Sequence, residues 1–230
     1  MNSFLDSNVL IGYIFCLENL FDVSNKYIFK SDNNYFSKNV KTEVNHVFVR
    51  KISQYSIFLE KLNKKLYEFD DSYLMSRDTF HEYIKNGDAI EKFNIQDMHF
   101  AFEKIWNLFD IGENQEIMIL KMKFDKFINE FSGFNFKRKK ELFNQLILIP
   151  NHTFKDKDVI KGIEKENLRN ELLHKSDEEI LFDAHEFAKN NKDLNLKFVT
   201  ADQNFFEAIT ILKKYLCFGD CINLMEFSCN

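Results

Sequence analysis

The chain has 230 residues, a formal net charge of −5 and an isoelectric point near 5.7. This length can form one sizeable hydrophobic core or two small ones. The acidic balance excludes a protein that binds nucleic acid over its whole surface, so a local basic face would be needed for that role. Phe occurs 27 times and Pro once, which predicts a helix-rich chain with an aromatic core and short connections.

The cellular compartment can be inferred from apolar runs and cysteines. We expect no membrane span, because the sequence lacks a run of about 18 uncharged apolar residues. Asp6 interrupts the first apolar run, which also lacks the basic residue and cleavage site of a signal peptide. The four cysteines form neither a metal-binding pattern nor an evident disulfide framework; they are Cys16, Cys217, Cys221 and Cys229. These features predict a cytoplasmic protein.

The first predicted elements are a short strand and two helices. Residues 3–5 have the pattern of a buried strand, and residues 8–20 that of a helix. After a polar connection at 31–34, Ser37 is placed to cap a helix that carries Glu43.

The region from about 50 to 140 is predicted to be an all-helical insertion. Apolar residues recur there at spacings of three and four, the pattern of amphipathic helices that pack on one another. The series are Tyr55, Leu59, Leu62 and Leu66; Met98, Phe102, Ile105 and Phe109; and Ile117, Leu120, Phe124, Phe127 and Phe131.

Strands alternate with helices again in the last part of the chain. Buried strands are predicted at 145–151, 196–200 and 222–227. Helices are predicted near 158–170, 177–190 and 203–214. Alternation at both ends of the chain predicts an α/β fold whose mainly parallel sheet is covered on both faces. We expect a single domain of residues 1–230, with its core from about 1–48 and 144–227.

Acidic residues occur where a parallel sheet binds its ligands. Asp6 closes the first strand, Asp202 follows the strand at 196–200, and Asp177 begins a helix. Together with Glu43 they are expected to cluster, because ligands bind at the carboxyl ends of parallel strands. Clustered carboxylates repel one another unless a cation compensates. Oxygen ligands without a thiolate or histidine set suit Mg²⁺ or Mn²⁺, which can activate water against a phosphodiester.

Each acid also has a structural interpretation. Asp6 and Asp202 can each accept hydrogen bonds from amides of the helix that follows. Asp177 can favour a helix dipole beside a capping box that begins at Ser176. Glu43 can be one more solvent-facing helical acid. The joint placement of the four acids, and no single one of them, favours a metal site.

Four segments together resemble the PIN-domain family of metal-dependent ribonucleases, which includes the VapC-like toxins of toxin–antitoxin pairs. The segments are "FLDSNVLIG" with Asp6, a helical Glu43, "DEEILFDAHEFA" with Asp177, and "FVTADQNF" with Thr200 and Asp202. The resemblance covers residues 1 to about 48 and 144 to 227. It implies a three-layer α/β/α sandwich, to which the helical insertion is an addition.

The resemblance implies an endoribonuclease that hydrolyses RNA phosphodiester bonds with a metal-activated water. The catalytic and metal-binding residues would be Asp6, Glu43, Asp177 and Asp202, with Mg²⁺ or Mn²⁺, and Asn8 and Thr200 would support them. Many members of the family carry another acid at the position of Asn204. The resemblance therefore does not imply a full second metal site. Asp183, six residues after Asp177, does not match an acid of the family.

The resemblance also implies partners. The substrate would be single-stranded or structured RNA, and a VapC-like toxin would have a protein inhibitor, the antitoxin, and form a homodimer. Expected nucleic-acid contacts are the basic residues Arg50, Lys51, Lys137, Arg138, Lys139 and Lys140. The run at 137–140 can equally be the solvated turn of a helix.

Three other classes match less of the sequence. "RNELLH", from Arg169 to His174, has the Arg-x₄-His spacing of metal-independent HEPN ribonucleases, which are all-helical. Glu43 and His46 form one Glu-x-x-His motif of a di-iron bundle, without the second copy. A phosphatase with an Asp nucleophile would need a second Asp where Asn8 stands. The main alternative function is a catalytically inactive PIN-like module that binds or scaffolds.

Overall fold

The computed structural model describes residues 1–85, 95–109 and 114–227, so Cys229 and parts of the predicted insertion lie outside the described residues. The strands are Asn2–Leu5 (β1), Asn33–Ser37 (β2), Leu74–Ser76 (β3), Asn114–Glu116 (β4), Ile147–Ile149 (β5), Lys197–Thr200 (β6) and Asp220–Asn223 (β7). The helices are Ser7–Ile14 (α1), Phe21–Lys30 (α2), Lys38–Leu66 (α3), Arg77–Lys85 (α4), Ile95–Leu108 (α5), Ile117–Gln145 (α6), Lys157–Lys165 (α7), Leu168–Glu171 (α8), Lys175–Asn190 (α9), Gln203–Leu212 (α10) and Leu224–Phe227 (α11). The predicted mixed α/β class is confirmed.

A five-stranded sheet has the strand order β5-β2-β1-β6-β7. Every neighbouring pair in it is parallel, which confirms the prediction of a mainly parallel sheet. From β1 the chain adds β2 and β5 on one side, and it later adds β6 and β7 on the other. The order therefore reverses between β1 and β6. Open α/β sheets bind ligands at such a reversal, beyond the carboxyl ends of the strands.

The two central strands are buried on both faces. Phe4 and Leu5 in β1, and Phe198 and Val199 in β6, are fully buried. Because successive strand residues point to opposite faces, burial of consecutive residues means that both faces are covered. Phe4 lies opposite Phe198, and the two rings stack at 5.4 Å between centroids. This apolar pairing holds the register, since a slip of one residue would move each ring to the other face.

Two strands differ from the sequence-based prediction. β2 lies partly where we expected a polar connection, because Asn33, Asn34 and Ser37 hide its strand character. β5 is not buried as expected, since it lies at the edge of the sheet with Ile147 43% and Leu148 50% exposed. A short apolar run has the same pattern in a central strand and in an edge strand.

The end of the chain also differs from the prediction. The strand expected over 222–227 begins earlier, as β7, and ends at Asn223. The next four residues form the helix α11. Asn223 Oδ1 accepts a hydrogen bond from the backbone N–H of Met225 at 3.0 Å, an interaction that favours helix initiation after the strand.

The chain divides into two compact units. The first consists of Met1–Ile14, Leu20–Val47 and Lys140–Asn230, and the second of Phe15–Asn19 and Phe48–Lys139. The second unit is not all-helical as expected, because β3 and β4 form an antiparallel pair. The predicted amphipathic helices of this unit are present as α3, α5 and α6. The side chain of Met98, one of the predicted apolar positions, lies outside the described residues.

The predicted apolar series form much of the core of the second unit. Their buried members are Tyr55, Leu59, Leu62, Leu66, Phe102, Ile105, Ile117, Leu120, Phe124 and Phe131. Among the described helices, none is both long enough and apolar enough to span a membrane.

Candidate active site

Asp6 lies between β1 and α1 and is 3% exposed. One carboxyl oxygen, Oδ1, accepts a hydrogen bond from the backbone N–H of Ser7 at 2.6 Å. The other, Oδ2, accepts one from the Thr200 hydroxyl at 2.8 Å. The backbone N–H of Asp6 donates to the carbonyl of Val199 at 3.0 Å, which extends the pairing of β1 with β6. The sheet therefore holds this carboxyl group at the reversal of strand order.

The Thr200 hydroxyl connects Asp6 to the segment after β6. Besides donating to Asp6, it accepts from Asn8 Nδ2 at 3.3 Å and from the backbone N–H of Asp202 at 3.0 Å. Asn8 Oδ1 accepts from the backbone N–H of Ala201 at 3.0 Å. Asn8 and Thr200, the two expected supporting residues, thus contact each other and hold the loops that carry Asp6 and Asp202.

Glu43 and Asp177 reach the same edge of the sheet from two helices, α3 and α9. Burial raises the pKa of Glu43, and the Asp177 charge raises it further. Burial also raises the pKa of Asp177, against a lowering effect of the backbone hydrogen bond from His174. Glu43 Oε2 is buried and lacks a hydrogen-bond partner among the described residues.

Electrostatic effects connect the four acids, each with at least two of the others. Burial raises the pKa of Asp6 to about 7, and the charges of Glu43 and Asp177 act in the same direction. The Asp202 charge raises the pKa of both Glu43 and Asp177. The structure therefore brings all four predicted acids within electrostatic reach of one another, and we call them the acid cluster.

Two members of the acid cluster also cap helices. Asp202 is the N-cap of α10, and its Oδ1 accepts from the backbone N–H of Phe205 at 3.0 Å. Asp177 Oδ2 accepts from the backbone N–H of His174 at 2.9 Å, immediately before α9. Each cap occupies one carboxyl oxygen. The second oxygen of Asp177 accepts a longer hydrogen bond from Ser176 Oγ at 3.4 Å. Capping and metal binding are nonetheless compatible in these two residues, because a carboxylate oxygen can accept more than one bond.

The chemistry of the acid cluster fits a hard divalent cation. Its donors are carboxyl oxygens, which Mg²⁺ and Mn²⁺ prefer. Burial, and then the neighbouring acids, raise the pKa of Asp6, Glu43 and Asp177, and Glu43 Oε2 has no hydrogen-bond partner among the described residues, so a cation here would favour the ionised carboxylates. The spacing is less favourable, since among the described residues no three His, Cys, Asp or Glu side chains have the arrangement of a metal site. Binding would require the carboxylates to close in on the ion.

The expected nucleic-acid contacts lie on α3 and α6. Arg50, Lys137 and Lys140 are exposed. Lys51 forms an ion pair with Glu18, which neutralises part of its charge. The predicted basic residues are thus not all equally suited to a phosphate backbone.

Two of the basic residues lie over aromatic rings. The Arg138 guanidinium lies 5.7 Å from the ring centroid of Phe134, and Lys139 Nζ lies 4.2 Å from that of Phe48. Such contacts stabilise a cation and orient its side chain. Phe134 is itself 46% exposed. Its ring and the guanidinium of Arg138 therefore lie side by side at the protein surface.

The Arg-x₄-His segment does not have the environment of a HEPN site. Arg169 Nε donates to Glu178 Oε1 at 2.6 Å, and its Nη2 lies 3.1 Å from Oε2. His174 lies at the N-cap of α9. The segment belongs to the unit that contains the parallel sheet, whereas HEPN domains are all-helical.

Sequence reasoning set Asp183 aside, yet the structure places its carboxyl group in a buried hydrogen-bond network near the carboxyl ends of β2 and β5. Its partners are Asn39 and His152. No motif in the sequence indicated this network. The only signal was an acid within the apolar stretch of a predicted helix, "ILFDAHEFA", because such an acid must find a partner when it is buried.

Comparison with known proteins gave no match to a family model, to a curated protein or to a solved structure.

Proposed function

We propose that the protein is a metal-dependent endoribonuclease with a PIN-like α/β/α fold. The observation that supports this most directly is the acid cluster at the reversal of strand order. Asp6 is buried there, the Glu43 charge acts on it, and Glu43 Oε2 has no hydrogen-bond partner among the described residues. The four segments that resemble the PIN family contain the same four acids. The cation would be Mg²⁺ or Mn²⁺, held by Asp6, Glu43, Asp177 and Asp202.

The residues of the chain have separable roles in the proposed reaction. When bound, the cation would supply an activated water and compensate the charge of the phosphodiester. Thr200 and Ser7 hold the Asp6 carboxyl by one hydrogen bond to each of its oxygens. Glu43, whose Oε2 has no hydrogen-bond partner among the described residues, would be a ligand of the cation. Asn8 keeps the loop before Asp202 in place through the Ala201 amide.

RNA is the proposed substrate because the chain offers aromatic and basic contacts despite its acidic balance. Phe134 and Phe136 are exposed on α6 next to the basic run at 137–140. Exposed rings stack on unpaired bases, and cations follow the phosphate backbone, which favours single-stranded RNA. Toxin activity, a protein inhibitor and a homodimer enter the proposal through the family resemblance alone, and the assay below does not depend on them.

The proposal is tested by incubating the purified chain with end-labelled single-stranded RNA and Mn²⁺, with and without EDTA. We expect cleavage that EDTA abolishes and that Asp6→Asn reduces by about 100-fold or more, as expected when a group that stabilises transition-state charge is lost. Cleavage that persists in EDTA, or in Asp6→Asn, would overturn the proposed mechanism.

Asp202 offers a matched pair of variants that separates capping from chemistry. Asp202→Ser keeps an N-cap side chain, whereas Asp202→Ala loses about 1 kcal/mol of stability with the cap. Both should lose cleavage, because neither keeps the carboxylate. If Asp202→Ser cleaves RNA like the wild type, Asp202 acts only as a helix cap.

A second candidate is the inactive module that binds RNA without cutting it. The observation in its favour is that the described acids do not have the spacing of a metal site. This candidate predicts RNA binding that is indifferent to Mn²⁺ and to Asp6→Asn, with no cleavage at any Mn²⁺ concentration.

A further inference from the structure

Asp183 joins three segments of the sheet-containing unit through its buried carboxyl group. Its side chain is fully buried on α9. Oδ2 accepts a hydrogen bond from Asn39 Nδ2 at 3.0 Å, at the beginning of α3. Oδ1 accepts from the backbone N–H of His152 at 2.8 Å and lies 2.7 Å from the ring Nδ1 of the same residue. We call Asn39, Asp183 and His152 the clamp.

The clamp connects the two helices that carry Glu43 and Asp177. Asn39 lies four residues before Glu43, which places both on the same side of α3 about one turn apart. Asp183 lies six residues after Asp177 on α9. The hydrogen bond from Asn39 to Asp183 therefore connects α3 to α9, about one turn from Glu43 and about 1.7 turns from Asp177.

The loop after β5 also contacts Asp183, through His152. His152 follows β5, and its Nε2 lies 3.3 Å from Glu179 Oε2. Lys155 forms an ion pair with Glu179 at 2.6 Å. Both carboxyl groups that face the His152 ring thus come from α9, so the loop after β5 is held against this helix.

The hydrogen bond between Asn39 and Asp183 holds together two helices, α3 and α9, that carry like charges. Glu43 on α3 and Asp177 on α9 are both acids, and repulsion between their ionised forms tends to separate the two helices when no cation is present. Asn39 is uncharged, so its hydrogen bond opposes the separation without adding charge to the acid cluster. Groups hydrogen-bonded to metal ligands typically change metal affinity by about 10- to 100-fold, and we expect the lower end of this range from a contact that acts through the two helices.

We infer that Asn39 and Asp183 are positioning residues that set the separation of Glu43 and Asp177 and thereby the affinity of the acid cluster for a divalent cation. The inference rests on the proposed function, because the cation is the one proposed there. It concerns residues that the family resemblance does not include.

The test is a Mn²⁺ titration of the full chain followed by electron paramagnetic resonance, with thermal unfolding in EDTA measured in parallel. Asn39→Ala should raise the Mn²⁺ dissociation constant about tenfold. RNA cleavage by this variant should approach the wild-type rate at saturating Mn²⁺, because the ligands themselves are intact. Because bound Mn²⁺ also stabilises the fold, the unfolding measurement in EDTA must show that Asn39→Ala is folded at the titration temperature.

Asp156→Ala is the matched control. Asp156 caps α7 and also holds α9, through Lys189 Nζ at 2.7 Å. Among the described residues, its hydrogen bonds and ion pairs go to α7 and α9 and none goes to α3. We expect this variant to melt at a lower temperature and to bind Mn²⁺ like the wild type. Asn39→Ser serves if Asn39→Ala does not fold, because its shorter side chain does not reach Asp183 and should give the same loss of affinity.

The outcomes separate the inference from the proposed function. Wild-type protein that does not bind Mn²⁺ would overturn both. Wild-type binding together with unchanged affinity in Asn39→Ala or Asn39→Ser would overturn the inference alone. Equal losses of affinity in Asn39→Ala and Asp156→Ala would also overturn it, since they would report general destabilisation.

Discussion

Asp6 is a carboxyl group in surroundings that favour its neutral form. Burial raises its pKa from 3.8 to about 7, and hydrogen bonds from Thr200 and Ser7 offset only part of this effect. A protein seldom keeps such a residue for stability, because a neutral side chain of the same shape avoids the cost of burying charge. Perturbed carboxyl groups in this kind of position are typical of functional sites.

The raised pKa predicts how stability depends on pH without metal. The unfolded chain loses the Asp6 proton near 3.8, whereas the folded chain keeps it until about 7. The folded state binds more protons in this interval, so the free energy of unfolding falls as the pH rises from about 4 to 7. This contribution is worth at most about 4 kcal/mol.

Asp6→Asn should remove that pH dependence. In EDTA at pH 8 we expect the variant to be as stable as the wild type or more stable, with the difference disappearing toward pH 4. Urea unfolding at pH 4, 6 and 8 measures the difference, with Asp193→Asn as the control at an exposed position. A clear loss of stability in Asp6→Asn at pH 8 would instead show that the hydrogen bonds of Asp6 are its main contribution.

At the scale of single elements, two helical glycines differ in the space around their Cα atoms. A Cβ at Gly162 in α7 would lie 2.6 and 2.7 Å from ring atoms of Tyr215 and 3.0 Å from Leu212 Cδ2. A Cβ at Gly133 in α6 would meet no atom within 4 Å. Gly162 therefore permits a close approach of neighbouring side chains to α7, whereas Gly133 is an exposed helix position without that requirement.

These surroundings predict opposite effects of alanine. Gly133→Ala should stabilise the protein by up to about 1 kcal/mol, through helix propensity alone. Gly162→Ala gains the same propensity but overpacks the site, which typically costs about 1–3 kcal/mol, so we expect a net loss. Urea unfolding of both variants measures the change in the free energy of unfolding. A gain of stability in Gly162→Ala would show that the Tyr215 side chain moves aside without cost.

Prediction of elements succeeded where the signal was local and periodic. The apolar series of α3 and α6 and the run at 196–200 have clear helical or strand patterns, and the corresponding elements are present. β2 was not predicted over its full length because asparagine is unusual in strands. It forms a strand because it pairs with β1 on one side and with β5 on the other.

At the scale of the whole molecule, all four members of the acid cluster belong to the unit that contains the sheet. They come from segments far apart in sequence, so a cation bound by them would cross-link the folded chain but not the unfolded one. A ligand that binds only the folded state stabilises it by about 2.7 kcal/mol at 100 times its dissociation constant.

Mn²⁺ should therefore raise the melting temperature. For a chain of this size we expect about 5–10 °C at that concentration, measured by differential scanning calorimetry against EDTA. Asp6→Asn should show little or no rise, because it lacks the most buried ligand. An equal rise in the variant would mean that Mn²⁺ binds elsewhere on this acidic chain.

The sequence by itself determined the α/β class, the amphipathic helices and the candidate acids. Those features depend on local apolar periodicity and on polar residues at the ends of elements. Only the tertiary structure decided that β5 lies at the sheet edge and that Asp183 is held by Asn39, 144 residues away. The physical reason is that burial and the pairing of charges depend on which distant segments meet, and a local pattern carries no information about that meeting.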